Sequence, residues 1–141
     1  MNEIINGLLL GSIYDCNSFN LNENNIKTII NCTKDLPFPD HIDRSICHIR
    51  IPIDDNINET LDIIGVVNFI KKQLQSNRRI FIHCQMGKSR SASFVIAYIM
   101  ASRHLNYNQA YKYVKIRRPC IKPNIGFERQ LISFENYLYR S

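Results

Sequence analysis

Cys84 and Arg90, six positions apart with Gly87 between them, His83 before and Ser91 after, are the residues of this sequence best suited to nucleophilic chemistry on an anion. A cysteine attacks as thiolate, and a helix amino terminus or a nearby cation lowers its pKa toward that form. The Arg90 guanidinium is a planar fork of donors that matches two oxygens of a phosphate. Gly87 lets the backbone turn and approach a ligand with no Cβ in the way. A Ser91 hydroxyl near the sulfur can stabilise the thiolate when it leaves phosphorus. His83 reads as a hydrogen-bonding partner that steadies the loop rather than as a general base, although an ordinary imidazole pKa permits either role. Five specified residues at about one chance in twenty each coincide in a chain of this length with a probability on the order of 10⁻⁴ or less, so the spacing is a specific signal.

Such a loop needs a rigid strand before it and a helix behind it. Ile80-Phe81-Ile82 is a short β-branched and aromatic run of the kind a buried parallel strand shows, and Phe94 to Met100 is apolar enough for a buried helix. The backbone N–H groups of Gln85, Met86, Gly87, Lys88, Ser89 and Ser91 therefore lie where a strand ends and a helix begins, a position that favours a dianionic phosphate.

The remaining elements follow in order. Ile4 to Ser12 is an apolar run containing two glycines and reads as a first strand ending in a turn. A brief helix is expected near Leu21–Asn25, then a buried strand over Ile26–Cys32, and an alternating third strand over Ile46–Ile51. Pro52 to Glu59 is a polar loop. A helix is predicted from an N-cap at Thr60 to about Leu74, with Leu61, Ile64, Val67 and Ile70 on one face. Asn106 and Gln109 have capping-box spacing and start a helix through about Ile116, which Arg117-Arg118-Pro119 ends. Pro123-Asn124 opens a last amphipathic helix carrying Phe127, Leu131, Phe134 and Leu138. Strands alternating with helices give a three-layer α/β fold: a mainly parallel central sheet, helices on both faces, and a ligand site beyond the carboxyl ends of the strands.

The 141 residues read as a single catalytic domain, 1–141, large enough to bury a core without metal or disulfide staples. A net charge of +6 points to anionic partners but does not choose among phosphoproteins, phosphoinositides and RNA. Five cysteines without paired spacing fit a reducing compartment. No apolar run reaches the ~18 residues of a membrane span, and the first residues show no signal-peptide pattern, so a cytoplasmic protein is expected, with nuclear entry open. No Cys or His pair has zinc-like spacing, so no metal site is expected.

His-Cys-x-x-Gly-x-x-Arg-Ser over 83–91 resembles the signature loop of the cysteine-dependent protein phosphatases, and its extension into Ser-Ala and an apolar helix resembles the dual-specificity branch. The resemblance runs over nearly the whole chain, including Gly7 to Ser12, Val114 to Pro119 and Pro123 to Leu131. It implies hydrolysis of phosphotyrosine, phosphoserine and phosphothreonine in proteins through a cysteinyl-phosphate, without a cofactor. About twenty residues separate the first two strands, which leaves no room for the loop that deepens the pocket of strict tyrosine phosphatases. The family pattern Ile-Pro-Ile-x-Asp places the general acid on Asp55, with Asp54 as the alternative one residue away, and implies that Asn124 supports the phosphate loop; on the residues alone, Asn124 reads equally as a helix cap.

Two other readings stay open. Lys88 favours a phosphoinositide substrate, since related lipid phosphatases carry Lys there; RNA 5′-phosphate is the less expected variant because Ser89 stands where RNA triphosphatases tend to carry Asn, and nucleic acid is not an expected partner. The other is a silent phosphate-binding module, against which stand Cys84, Arg90 and the aspartate pair. The family also implies a redox role for Cys32, since some members protect the oxidised nucleophile with a second cysteine on the corresponding strand; the alternative is a buried structural thiol. Oligomeric state is not legible in the sequence.

Overall fold

In the computed structural model, which describes residues 1–40 and 42–139, five strands form one sheet in the order β1-β2-β5-β3-β4. The strands are β1 (Asn2–Ile5), β2 (Leu8–Gly11), β3 (Ile26–Asn31), β4 (Cys47–Arg50) and β5 (Arg79–His83), and only the β1–β2 pair is antiparallel. The expected first strand is in fact this hairpin. Asn6-Gly7 interrupts the apolar run, and Gly7 takes φ +91°, open to glycine but costly for other residues.

Among the described residues five α-helices, besides a single 3-10 turn at Ile13–Asp15, complete the fold: α1 (Ser18–Glu23), α2 (Ile63–Gln75), α3 (Arg90–Arg103), α4 (Tyr107–Arg117) and α5 (Ile125–Tyr139). Alternation along each strand splits the core in two. Leu8, Leu10, Ile30, Ile80 and Ile82 face the cluster shared with α2 to α5, while Leu9, Ile29 and Phe81 face the smaller cluster under α1. Both faces are covered as expected, but four of the five helices sit on one of them. α3 is the centre of that face: every residue from Ser91 to Met100 is buried. Burying each Phe or Ile there contributes roughly 1.5–3 kcal/mol, which fixes α3, and hence the loop before it, against the sheet.

Several boundaries differ from the sequence reading. α1 starts at Ser18 instead of near Leu21, because the Asn17 side chain accepts the Asn20 N–H at 3.0 Å and caps it. α2 is capped by Asp62, whose Oδ1 accepts the Gly65 N–H at 3.1 Å, and not by Thr60. Leu61 accordingly lies before the helix, Ile64 turns outward at 47% exposure, and Ile63, Val66, Val67 and Ile70 form the buried face. At the other end of the chain, the Asn106–Gln109 capping box forms as expected, with reciprocal bonds of 2.9 Å.

Candidate active site

β2, β3, β4 and β5 run parallel, so the residues that follow them share one end of the sheet. Cys84 follows β5, Cys32 follows β3, and Asp54 and Asp55 stand in the loop after β4. α3 begins at Arg90 with Ser89 at its N-cap, and no side chain bonds its first N–H groups from that cap. Its positive end is thereby left for an anion.

The carbonyls from Cys84 to Ser89 are all accounted for. His83 Nδ1 donates to the Cys84 oxygen at 3.0 Å and the Ile13 N–H to that of Gln85 at 3.0 Å. Arg118 donates Nη2 to Met86 at 3.0 Å and Nε to Gly87 at 2.9 Å. The Lys122 N–H reaches the Lys88 oxygen at 2.7 Å, and Ser93 holds that of Ser89 through its N–H at 2.9 Å and its hydroxyl at 2.6 Å. A trans peptide points its C=O and the following N–H in opposite directions, so a loop whose carbonyls are tied outward turns its N–H groups inward. Gly87 makes the turn with φ +67°, and a Cβ there would lie 2.7 Å from Arg118 Nη2 and against the Gly11 carbonyl. Any larger residue would meet both strain and a clash.

Cys84 is 3% exposed, and burial alone would push its thiol up. The Ser91 hydroxyl, 3.1 Å from Sγ, the N–H groups of Ser91 and Gly87, and the Arg90 charge overcome that burial and bring the pKa below the ordinary 9.0. A thiol so lowered passes to the thiolate, the form in which cysteine attacks, more readily than an ordinary one. Arg90 Nη1 donates to the Ile53 carbonyl at 3.3 Å, linking the loop to the segment after β4. His83 is fully buried, stacked on Phe81 with centroids 5.4 Å apart, and burial lowers its pKa. Its Nδ1 faces a carbonyl and so carries the proton, which suits a positioning role. Nε2 meets no hydrogen-bond partner among the described residues.

The two aspartates point to different anchors. Asp55 Oδ1 accepts from Asn124 Nδ2 at 2.8 Å, whereas Asp54 Oδ2 pairs with Lys34 Nζ at 2.8 Å. Asn124 caps α5, its Oδ1 accepting the Phe127 N–H at 2.9 Å, and also bonds the loop, its own N–H reaching Ser89 Oγ at 2.9 Å. One residue thus joins Asp55, the phosphate loop and α5. Gln85, Met86 and Lys88 are exposed at the loop's rim, while Gly87 and Ser89 are buried.

Cys32 is fully buried in the same apolar cluster as Cys84, and its N–H donates to the His83 carbonyl at 2.8 Å. The register Asn31↔His83 carries the chain to Cys32 and Cys84 side by side. Burial first, then the neighbouring Cys84, pushes the Cys32 thiol up. Sequence reasoning missed Arg118, read only as part of a helix stop; two carbonyls bonded from more than thirty residues away leave no mark in a motif. No three His, Cys, Asp or Glu side chains among the described residues gather as a metal site would require.

A family model described as dual specificity phosphatase, catalytic domain, matches residues 8–137. The chain is 36% identical to the dual specificity protein phosphatase Mpk3 of Drosophila melanogaster over 140 residues, covering 96% of this chain and 34% of that protein. It is 38% identical to dual specificity protein phosphatase 8 of Mus musculus over 141 residues, covering 98% of this chain and 21% of that one. The chain thus spans a fifth to a third of these curated relatives. Among solved structures, human DUSP28 superposes with a TM-score of 0.89 at 25% identity, covering 98% of this chain and 97% of that one. A human tyrosine phosphatase-like serine/threonine/tyrosine-interacting protein gives 0.89 at 33% identity, covering 99% and 98%.

Proposed function

Since this chain belongs to the dual specificity phosphatase family, we propose that it hydrolyses phosphate monoesters of phosphotyrosine, phosphoserine and phosphothreonine in proteins through a cysteinyl-phosphate at Cys84. The observation that carries this reading is a buried cysteine whose thiol is nonetheless lowered, inside a loop whose carbonyls are all tied outward.

In this reading the loop N–H groups and the Arg90 fork bind the phosphate oxygens, a charge-assisted arrangement prepared before substrate arrives. Cys84 Sγ attacks phosphorus in line; the S–P bond forms as the ester P–O bond breaks, and Asp55 gives its proton to the departing oxygen. Water then attacks phosphorus and passes a proton to Asp55. The S–P bond breaks, inorganic phosphate leaves, and the Ser91 hydroxyl stabilises the thiolate that returns. Asn124 keeps Asp55 over the loop, and His83 steadies the Cys84 peptide.

Residues 12–25 between β2 and β3 hold only a short turn and α1, which supports a pocket open to the shorter phosphoserine and phosphothreonine. All five cysteines are free, which fits the reducing cytoplasm or nucleus, and no helix among the described residues is long and apolar enough to cross a membrane.

One observation favours a second reading. Lys88 and Lys122 are both exposed and joined backbone to backbone at 2.7 Å, a cationic pair at the rim that suits a polyanionic phosphoinositide headgroup. A panel of phosphotyrosine and phosphothreonine peptides, phosphoinositides and 5′-triphosphate RNA decides between them. Release of phosphate from peptides far above the rest supports the first reading, and a preference for phosphoinositide replaces it with the second. Binding without release on every substrate would leave a binding module.

A further inference from the structure

The bonds on the outer side of the phosphate loop are unevenly shared. Ile13 and Lys122 each hold one carbonyl with a backbone N–H, and His83 and Ser93 hold those nearest β5 and α3. The middle of the loop, Met86 and Gly87, depends on one side chain. Arg118, half-buried at the end of α4, spans both carbonyls with Nη2 and Nε and anchors Nη1 to Asn2 Oδ1 on β1 at 2.8 Å.

A guanidinium is planar, always charged and rich in donors fixed in direction, so it can hold two adjacent carbonyls at a set angle to each other. The Met86 carbonyl shares its peptide with the Gly87 N–H, and the Gly87 carbonyl shares its peptide with that of Lys88. Fixing these carbonyls outward fixes the two N–H groups inward. We propose that Arg118 is a positioning residue that sets the Gly87 and Lys88 amides toward the bound phosphoryl group without touching it. The inference rests on the phosphate-loop function proposed above. The packing agrees with it: Arg118 Nη2 occupies the space a Cβ on Gly87 would need, so the glycine and the arginine fit as a pair. The inward Gly87 N–H is also one of the groups that lower the Cys84 thiol.

Two measurements test it. In a Cys84→Ser background, tungstate binding is followed by calorimetry with Arg118 intact and with Arg118→Met. Tungstate is expected to bind the first and to bind the second about 10- to 100-fold more weakly, since misplacing positioned groups by about 1 Å can cost up to about a hundredfold. No binding to Cys84→Ser itself would overturn the phosphate-loop reading, whereas equal binding to both would overturn only the clamp. With Cys84 present, Arg118→Met is expected to lower kcat about 10- to 100-fold on an aryl phosphate and to move the acidic limb of kcat/KM to higher pH. The charged or titratable groups facing Cys84, Arg90 on α3 and Cys32 after β3, are unchanged in that variant. Added methylguanidinium should restore part of the rate, and Arg118→Lys should fall between. A pH profile that does not move, together with no rescue, would reduce Arg118 to a structural tie. Should Arg118→Met fail to fold, Arg118→Gln, which keeps one donor, carries the same comparisons with a smaller expected loss.

Discussion

The loop proposed to grip phosphate and the loop proposed to supply the proton are built differently, although both cap the same end of the sheet. From Cys84 to Ser89 every carbonyl is bonded outward, the sulfur is buried, and α3 behind it is buried over ten successive residues. From Pro52 to Asn58 only Ile53 is buried; the Asp55 carboxylate is bonded to Asn124 and that of Asp54 to Lys34, while the Asp54 N–H reaches Glu59 Oε2 at 3.2 Å. The first region is set before substrate binds. The second is held at its edges by polar contacts open to water, where attraction is weakened by solvent and salt. Electrostatic stabilisation needs fixed dipoles, whereas a proton donor must reach leaving groups as different as a phenol and a serine hydroxyl. Removing groups from the first region should therefore damage every substrate alike, and removing them from the second should damage substrates according to their leaving group.

Cys84→Ser breaks the first region at its centre. Turnover should fall by more than about a hundredfold on all substrates while phosphate analogues still bind, and steady-state rates above that floor would remove Cys84 as nucleophile. Arg90→Lys keeps the charge but loses the fork, and a loss of ~10² to 10³ in kcat/KM on aryl phosphate and phosphopeptide alike is expected. Near-normal kinetics in that variant would end the role assigned to Arg90.

Asp55→Asn sharpens the comparison, because its effect should depend on substrate. On phosphoserine peptides kcat/KM, which reports the transfer to Cys84, should drop ~10² to 10⁴, and on an activated aryl phosphate, whose oxygen departs without a proton, much less. Asp54→Asn, which loses only the Lys34 pair, should matter far less on both. If the two variants exchange behaviour, the Asn124 bond does not mark the acid.

A milder change titrates the first region. Cys84 has a folded pKa below its unfolded one, so its thiolate contributes stability that is fully present above the unfolded value and is lost as pH falls through the folded value. The acidic limb of kcat/KM should follow the same lowered pKa, with activity rising as pH rises through it. Ser91→Ala removes a bond that favours the thiolate, so the limb and the ultraviolet thiolate absorbance should both move to higher pH. A limb that stays in place would show that Sγ does not depend on that hydroxyl.

The smallest effect concerns Cys32. Parallel neighbours in a sheet lie about 5 Å apart, inside the ~7 Å Cα limit for a disulfide. Mild peroxide is expected to oxidise the Cys84 thiolate first to a sulfenic acid, which the Cys32 thiol then traps with loss of water. Dithiothreitol should restore activity, and Cys32→Ser should recover less. Peptide mapping without a Cys32–Cys84 bridge, or unchanged recovery, would leave Cys32 a core thiol.

The two regions also differ in how much of them the sequence discloses. The phosphate loop is contiguous, so Cys84, Gly87, Arg90 and Ser91 announce themselves by spacing, and a strand and helix on either side follow from hydrophobicity alone. The family pattern favours Asp55 over Asp54, but the contact that distinguishes the two in the structure is a bond to a residue 69 positions away. Arg118 carries no signal of that kind, because a carbonyl is the same acceptor whatever residue bears it. Local capping explains the remaining differences. Asn17 and Asp62 are ordinary polar residues until their side chains are seen to accept N–H groups three positions on, and the hairpin at Asn6-Gly7 was hidden inside one apolar run.

Trapping the intermediate tests covalent catalysis most directly. Asp55→Asn enzyme, mixed with an activated aryl phosphate and quenched in acid, should accumulate phosphate, because the leaving group needs no proton whereas hydrolysis of the S–P bond still lacks its base. Mass spectrometry of the digest should place that phosphate on Cys84 and nowhere else. Phosphate on another residue, or turnover that proceeds with no adduct at any time, would contradict covalent catalysis by Cys84.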